Sequence, residues 1–207
     1  MAPGSLPTGV VSAADRERAV GPDTRAVVLV EGLSDRVALE VLADRRGLDL
    51  AARGIVVVAT GGASAVRACA ERYVGRGLRL AGLYDVGEER TVARALERAG
   101  RGVALDQPAA LERLGFFACV DDLEDELIRA LGVDRVEAVL DRQGELASFR
   151  RLQRQPAQRE RSSAAQLQRF MGTRSGRKWR YAALLTDALD LAAVPAPLER
   201  VLAAVTS

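Results

Sequence analysis

The sequence predicts an α/β fold, in which a parallel sheet of about four strands carries helices on both faces and is followed by an α-helical C-terminal extension. Two observations support this prediction. From residue 26 to about residue 122, short apolar runs alternate with stretches of helical periodicity, which is the pattern of a parallel sheet covered on both sides. After residue 122 the apolar residues keep a helical period, with breaks at glycine and proline.

The strands and helices of the first part follow in order. Each predicted strand is a short apolar run, at 26–30, 55–59, 78–84 and 116–120. Helices are predicted between them at 35–46, 63–74 and 88–99. Ser34 is a suitable N-cap for the first of these helices, and Gly47 is a suitable residue to end it.

The second part of the chain is predicted to be helical. The segments with helical periodicity lie near 123–131, 135–140, 145–152, 164–171, 178–191 and 198–205. Residues 1–24 are rich in proline, glycine, serine and alanine, and are predicted to form a flexible N-terminal tail. The predicted organisation is therefore this tail, an α/β domain over 25–125 and a helical extension over 126–207.

The composition excludes several kinds of catalytic and metal-binding site. The 207 residues contain no histidine and two cysteines, so zinc fingers, Ser-His-Asp triads and Cys-His nucleophiles are excluded and a disulfide scaffold is not expected. No apolar run approaches the ~20 residues of a transmembrane helix, and the N-terminus lacks the features of a secretion signal. We therefore expect a cytoplasmic protein without membrane contact, whose chemistry uses carboxylates, hydroxyls, arginine or lysine.

Acidic residues stand at the carboxyl ends of three of the four predicted strands. Glu31 follows the first strand, Asp85 the third and Asp121-Asp122 the fourth, whereas the second runs into Gly61-Gly62. Ligands of open parallel sheets bind beyond these ends. Two carboxylates about 4 Å apart repel by roughly 4 kcal/mol at an effective dielectric constant near 20, so such a group needs a cation, a shared proton or intervening water. Oxygen ligands without histidine or cysteine favour Mg²⁺ or Mn²⁺ over zinc.

Basic and acidic residues are unevenly distributed in the helical part. Residues 121–145 contain nine acids and three arginines, whereas residues 150–180 contain ten basic residues and one acid. Clustered arginines are typical of phosphate-backbone binding, but the same charges could instead neutralise the preceding acidic segment. The candidate nucleic-acid contacts of this segment are Arg174, Arg177 and Arg180.

Three smaller features leave alternatives open. Gly61 and Gly62 are able to approach a phosphate closely, but they also suit a tight turn into the next helix. Lys178 is the only lysine in the chain and is either a phosphate contact or a chance surface residue. The aromatic residues near it are interpreted as core packing rather than as stacking partners for bases: Phe170, Trp179 and Tyr181.

Two motifs resemble those of a known domain family. The segments LVEGLSD (Leu29–Asp35) and GLYDVGEE (Gly82–Glu89) are similar to the two motifs of TOPRIM domains, and the likeness extends over about residues 25–125. That fold is shared by topoisomerases, DnaG-type primases and OLD-family nucleases. The OLD-family endonucleases are the most similar branch, because a later acidic motif and a late lysine also have counterparts in this chain.

The resemblance implies a role for each matching acidic residue. Glu31 corresponds to the glutamate of the first motif, a metal ligand or general acid–base, and Asp85 to the first aspartate of the aspartate-x-aspartate motif, a metal ligand. Asp35 lies where OLD-like members use a further aspartate to hold metal, and their later acidic motif matches Asp122 and Glu124. One or two Mg²⁺ or Mn²⁺ ions are the implied cofactor.

The resemblance also implies a role for one basic residue, and two features of the family are missing from this sequence. Lys178 matches the late lysine, which lies near the transition-state phosphate in the family. Gly87 replaces the second motif aspartate, with Glu88 and Glu89 next in line. The ATPase domain that usually precedes TOPRIM in OLD proteins has no counterpart in the sequence, so a separate ATPase is the expected partner for any ATP-driven step.

Three functional hypotheses follow. The leading one is an OLD-like TOPRIM endonuclease that uses Mg²⁺ or Mn²⁺ to cleave nucleic acid, with DNA favoured over RNA and with Glu31 and Lys178 as catalytic residues. The second is a non-catalytic TOPRIM module that binds nucleic acid or a protein partner, motivated by Gly87 and the missing ATPase. The third is a primase-type nucleotidyl transferase, which the absence of a zinc-binding region disfavours. The sequence does not indicate an oligomeric state.

Overall fold

The structure is a computed structural model that describes residues 20–102, 109–174 and 176–207. The predicted N-terminal tail therefore lies outside the described residues, apart from residues 20–24. The side chains of residues 63 and 64 are also not described.

The described residues form one parallel sheet of four strands, as the sequence predicts. The strands are β1 (Ala26–Val30), β2 (Ile55–Ala59), β3 (Arg79–Asp85) and β4 (Phe116–Cys119). Their order across the sheet is β2-β1-β3-β4. The register pairs Val30 with Ala59 and Asp85 with Cys119. All the carboxyl ends therefore lie at the same edge of the sheet, with β1 and β3 in its centre.

Four helices lie between the strands or beside them: α1 (Leu33–Arg45), α2 (Ala63–Val74), α3 (Glu89–Arg98) and α4 (Ala110–Arg113), in the described part of the chain. The prediction of Ser34 as the first N-cap is wrong. Gly32 is the N-cap of α1, because Asp35 Oδ2 accepts a hydrogen bond from its amide at 2.7 Å. The short helix α4 and a 3₁₀ turn over Val86–Glu88 are not predicted from the sequence.

The C-terminal part is helical, as predicted. Its described helices are α5 (Leu123–Leu131), α6 (Val133–Arg142), α7 (Leu146–Gln153), α8 (Ser163–Met171), α9 (Arg177–Ala188) and α10 (Ala196–Thr206). The predicted ends differ from these by a few residues. Helix α9 ends earlier than predicted because Leu189 adopts an extended backbone, with φ −61° and ψ 146°.

Helices cover both faces of the sheet, and each face has its own apolar cluster. On one face Val27 and Leu29 of β1 pack with residues of α2 and α3. On the other face Val28 and Val30 pack with α1 and with the C-terminal helices, including the buried Phe170 and Tyr181. The C-terminal helices therefore share a continuous apolar core with the sheet, which holds α5 and α9 near the strand ends. The interpretation of Phe170 and Tyr181 as core residues is confirmed.

Two hydrogen bonds from Arg45 on α1 attach the C-terminal end of α9. The Nη1 and Nη2 atoms donate to the carbonyls of Thr186 and Leu189, at 2.7 and 2.8 Å. The Thr186 carbonyl also accepts from the Leu189 amide at 3.3 Å, so the guanidinium adds a second donor there and also binds the carbonyl of the residue that follows the helix. The attachment sets the direction of the helix whose first turn carries Lys178. Among the described residues, no helix has the length and hydropathy that crossing a bilayer requires.

Candidate metal site at the strand ends

A pocket of about 230 Å³ opens at the carboxyl ends of β1, β3 and β4. The residues predicted to bind metal or to act in catalysis all line this pocket: Glu31, Asp35, Asp85, Asp122, Glu124 and Lys178. The rest of the wall consists of Gly32, Leu33, Ser34, Leu123 and Trp179. The fold thus brings together the segments whose convergence the prediction requires.

The loop after β1 is held by hydrogen bonds from the end of β2. The amides of Gly61 and Gly62 both donate to the Glu31 carbonyl, at 2.9 and 3.2 Å. Both glycines have positive φ values, 85° and 124°, which L side chains rarely adopt. The pair is not part of the pocket lining, and it supports the turn that carries Glu31. A phosphate contact by these glycines stays a prediction.

Asp35 serves both the start of α1 and the pocket. Besides accepting the Gly32 amide, it has a pKa raised from 3.8 to about 6, mainly by burial. The Gly32 hydrogen bond and Lys178 oppose this rise, while Glu31 adds to it. Asp35 is therefore a carboxyl group whose ionised form is disfavoured mainly by loss of contact with water.

Asp85 ends β3 and is half-buried. Burial is the largest cause that raises its pKa to about 7, and the charges of Glu31, Asp35 and Asp122 raise it further. Lys178 lowers it, but not enough to offset the acids. The shift indicates that the pocket holds more negative charge than its own cation neutralises.

Gly87 stands where the second motif aspartate is missing. It is exposed, its φ is not positive, and a Cβ added to it would meet no described atom within 4 Å. Glu88 and Glu89, the next acids along the chain, are not part of the pocket lining. Residue 87 therefore has room for a side chain, although the sequence has glycine there.

Asp122 is the N-cap of α5 and is held by two hydrogen bonds. Its Oδ1 accepts from the Asp125 amide at 2.8 Å, and its Oδ2 accepts from Gln168 Nε2 on α8 at 2.9 Å. Gln168 is a site neighbour that the sequence analysis missed, because no local pattern links α8 to this turn. Glu126, nearby, accepts from the Val120 amide at 2.9 Å and so fixes the end of β4.

Glu124 and Lys178 form the ion pair at the base of the pocket. The Lys178 ammonium lies 3.0 Å from Glu124 Oε2, and the glutamate side chain is only 1% exposed. Among the described residues, neither Glu124 oxygen receives a hydrogen bond with good angles, so the contact is an ion pair alone. Burial raises the pKa of Glu124 to about 7, against the lowering effect of Lys178. The buried carboxylate therefore retains unused capacity to bind a cation.

The predicted arginine contacts lie outside the pocket. Arg177 is buried, with Nε 3.1 Å from Glu145 Oε2 and its guanidinium 4.0 Å from the centre of the Phe170 ring. Arg180 also faces Glu145, at 3.5 Å, whereas Arg174 is exposed. For Arg177 and Arg180 the structure thus shows the internal charge match that the sequence left open. Their contact with nucleic acid stays a prediction.

Trp179 forms one wall of the pocket and is only partly buried. Its interpretation as a core residue therefore describes part of its position. Both the indole and Lys178 line the pocket from the first turn of α9. The sequence places it next to Lys178, but no sequence signal shows that it faces the pocket.

The acids suit a hydrated divalent cation better than a closely enclosed one. No three acidic or cysteine side chains of the described residues converge tightly enough to hold an ion by themselves. Mg²⁺ keeps several water ligands and often takes only one or two carboxylates, so an open pocket of this kind fits it. Five carboxylates face a single ammonium in this pocket, and burial disfavours the ionised forms of Asp35, Asp85 and Glu124, which such an ion would stabilise.

Comparison with known sequences identifies the first half of the domain. The family described as "Overcoming lysogenization defect protein-like, TOPRIM domain" matches residues 24–86, which contain both motifs. A curated relative, protein translocase subunit SecA 1 of Chlorobium chlorochromatii (strain CaD3), is 44% identical over 72 residues. That match spans 34% of this chain but only 7% of SecA, so it says nothing about a shared activity.

Solved structures share the whole fold. The C-terminal region of the OLD protein of Xanthomonas campestris pv. campestris is 22% identical, with a TM-score of 0.65 over 88% of this chain and 94% of that one. The C-terminal region of the Burkholderia pseudomallei OLD protein is 19% identical, with a TM-score of 0.64 over 88% and 96% of the two chains. This chain therefore contains a TOPRIM domain that resembles the OLD-family domain, with a helical part in the same fold.

Proposed function

We propose that this protein is a Mg²⁺- or Mn²⁺-dependent nuclease that hydrolyses phosphodiester bonds in nucleic acid, with DNA as the favoured target. One observation carries the proposal. Five carboxylates from three separate segments line one pocket at the strand ends together with the only lysine of the chain. The likeness of residues 24–86 to OLD-like TOPRIM domains supports the same activity.

The pocket offers the carboxylate oxygens that would hold a hard cation. The buried Glu124, the half-buried Asp85 and the first-turn Asp35 are the proposed ligands, and Asp122 adds an acid fixed by Gln168. When bound, a divalent ion withdraws electron density from the phosphate and makes an attacking water more acidic. The excess of negative charge described above is the reason for this ion to bind.

The remaining groups have roles that follow from their exposure. Glu31 is exposed at the rim, so its carboxylate can accept the proton that water loses as it attacks phosphorus. The Lys178 ammonium is 52% exposed and can donate to the phosphate oxygen on which charge develops. The bond from phosphorus to the leaving oxygen then breaks, and that oxygen takes a proton from solvent.

Cleavage of supercoiled plasmid DNA with Mg²⁺ or Mn²⁺ tests the proposal. We expect Glu31→Gln to lower the cleavage rate about 10²-fold or more, because proton transfer by a positioned side chain contributes that much. The matched control is Glu97→Gln, the same change on an exposed residue of α3. Undiminished cleavage by Glu31→Gln would reject the role of Glu31, and a rate independent of added metal would reject the metal.

A non-catalytic nucleic-acid-binding module is the second candidate function. The open position at Gly87 and the absence of a tight group of three ligands in the described residues favour it. Calorimetric titration with Mn²⁺ separates the two candidates. A nuclease should take up the ion, whereas a binding module should take up none and still bind DNA.

A further inference from the structure

The arginines of residues 150–180 divide into two groups. Arg150, Arg177 and Arg180 are directed at internal acids, Glu137 for the first and Glu145 for the other two. The remaining arginines are exposed and have no ion pair among the described residues: Arg151, Arg154, Arg159, Arg161, Arg169 and Arg174. We call these six residues the arginine platform. Glu160 is the only acid in the sequence between residues 146 and 176, so little negative charge offsets them.

The arginine platform is built on a fixed scaffold. Gln153 of α7 donates to Gln166 of α8 at 2.7 Å, and Gln166 in turn donates to the Gln158 carbonyl at 2.7 Å. Phe149 and Phe170 meet edge to face between the same helices, with ring centres 5.5 Å apart. The loop that carries Arg159 and Arg161 is therefore tied to both helices.

The arginine platform adjoins the carboxylate pocket. Gln168 of α8 bonds to Asp122 in the pocket wall at 2.9 Å, and Arg169 is the next residue. At the other end, Arg174 lies four residues before Lys178, on the turn that leads into α9. The arginine platform and the pocket wall are therefore connected through α8, and Arg174 is close to Lys178 along the chain.

The chemistry of the arginine platform fits an extended phosphate backbone. The carboxylate pocket repels phosphate, so attraction has to come from cations beside it. Binding of single strands uses aromatic side chains that stack on bases. The only aromatic residues of α7, α8 and their connecting segment are Phe149 and Phe170, which are 0% and 2% exposed.

We propose that the arginine platform binds the phosphate backbone of a nucleic-acid duplex and leads it to the carboxylate pocket. This inference rests on the proposed function, which supplies nucleic acid as the ligand. It adds that the nucleic acid is double-stranded and that the arginine platform is the surface that binds it. Exposed arginines, with no exposed aromatic residue on α7, α8 or their connecting segment, are the features expected of backbone recognition.

Fluorescence anisotropy of a labelled DNA duplex over a range of salt concentrations tests the inference. In a metal-free buffer, the double variant Arg159→Ala/Arg161→Ala should lower affinity and reduce the slope of log K against log salt by about two, since each phosphate contact contributes ~0.9. The matched control is Arg94→Ala/Arg98→Ala, the same charge change on exposed residues of α3 at the opposite face of the sheet. The control should leave the slope unchanged.

The results that would overturn the inference are equally specific. An equal loss of DNA affinity in both double variants would mean that only net charge matters. Single-stranded DNA bound as tightly as the duplex would contradict the preference for a duplex. A duplex RNA of the same sequence, if bound more tightly than DNA, would support the inference and assign the target as RNA. The binding assay contains no metal, so its result does not depend on cleavage. A protein that binds DNA through the arginine platform but never cleaves it with metal added would disprove the nuclease proposal and leave the binding inference standing.

Discussion

The ion pair between Lys178 and Glu124 leaves a buried carboxylate that could also bind a divalent cation. The Glu124 side chain is 1% exposed and the Lys178 side chain is 52% exposed, so a buried carboxylate is paired with an exposed ammonium. The Lys178 ammonium lies 3.0 Å from one oxygen, and neither glutamate oxygen has a hydrogen bond among the described residues. Under the proposed function, a divalent ion and Lys178 would compete for the same carboxylate, and the bound ion would leave the lysine free to contact a phosphate.

Replacing Lys178 by alanine should consequently separate metal binding from cleavage. We expect Lys178→Ala to bind Mn²⁺ several-fold more tightly, because a competing positive charge is removed, while plasmid cleavage slows. Calorimetry and a cleavage assay on the same preparation measure the two effects. Lys178→Arg keeps the charge and should retain the affinity of the natural protein. Equal Mn²⁺ affinity in the alanine variant and the natural protein would contradict the competition.

Gly87 allows a gain-of-binding experiment at the residue scale. A Cβ there meets no described atom within 4 Å, and the backbone has no positive φ to oppose a side chain. We expect Gly87→Asp to bind Mn²⁺ more tightly, because it supplies the acid that the second motif lacks. Gly87→Asn has the same shape without the charge and should not. If both variants bind alike, the position does not face the ion.

At this scale the sequence predicts the acids better than their neighbours. The positions of Glu31 and Asp85 follow from strand ends that are visible as local patterns. Lys178 could be selected only through the family resemblance, since its approach to the pocket depends on how α9 packs. Gln168 could not be predicted, because its bond to Asp122 joins two helices that no local signal connects. Which of these residues bind metal or take part in catalysis stays a prediction.

Among the elements of the sheet, β3 depends on a glycine for its close approach to both neighbours. A Cβ on Gly82 would lie 2.6 Å from the Phe116 ring on one side and 2.7 Å from the Leu29 carbonyl on the other. The carbonyl belongs to β1 and cannot turn aside as a flexible side chain would. Because Gly82 has no side chain, β3 can lie close to both neighbouring strands, and this sets the position of Asp85 at its carboxyl end.

Gly82→Ala should therefore destabilise the protein. The expected loss is roughly 1–3 kcal/mol in the free energy of unfolding, the usual effect of overpacking a core. Urea unfolding followed by circular dichroism measures it. Gly87→Ala is the matched control, since the same substitution five residues later meets open space. A midpoint for Gly82→Ala as high as that of the control would show that the strands can separate without loss.

The limits of sequence reasoning also differ between elements. The strands are predicted well because buried parallel strands form unbroken apolar runs. The start of α1 is predicted wrongly, since Ser34 is the usual capping residue type but Asp35 reaches back to the Gly32 amide. The helix α4 has too few residues to show a period. The separation at residue 125 stays a prediction, and one apolar cluster contains residues from both sides of it.

For the whole molecule, the acids of the pocket set a dependence of stability on pH. The folded pKa values of Asp35, Asp85 and Glu124 are about 6, 7 and 7, against ordinary values of 3.8 for aspartate and 4.5 for glutamate. The folded state therefore binds protons more tightly than the unfolded state at these groups. Their contribution is most favourable below about pH 4, and it is lost as the pH rises to about 7.

In the absence of divalent ions, we expect the free energy of unfolding to fall between about pH 4 and about pH 7. Saturating Mg²⁺ should reduce this fall, because the ion binds the ionised acids, and Mn²⁺ affinity should rise over the same interval as protons are released. Urea unfolding at several pH values measures the first effect, and calorimetry the second. Asp85→Asn should make the metal-free profile flatter. A stability that rises with pH over this interval would contradict the charge excess in the pocket.

The attachment of α9 by Arg45 has a mechanical consequence for the opposite end of that helix. The helix has 12 residues and is about 18 Å long, so its anchored tip and the tip that carries Lys178 are far apart. The first turn is fixed as well, because Arg177 is buried and pairs with Glu145. The helix is therefore held at both tips, and the backbone position of Lys178 depends on Arg45 and on Glu145 together.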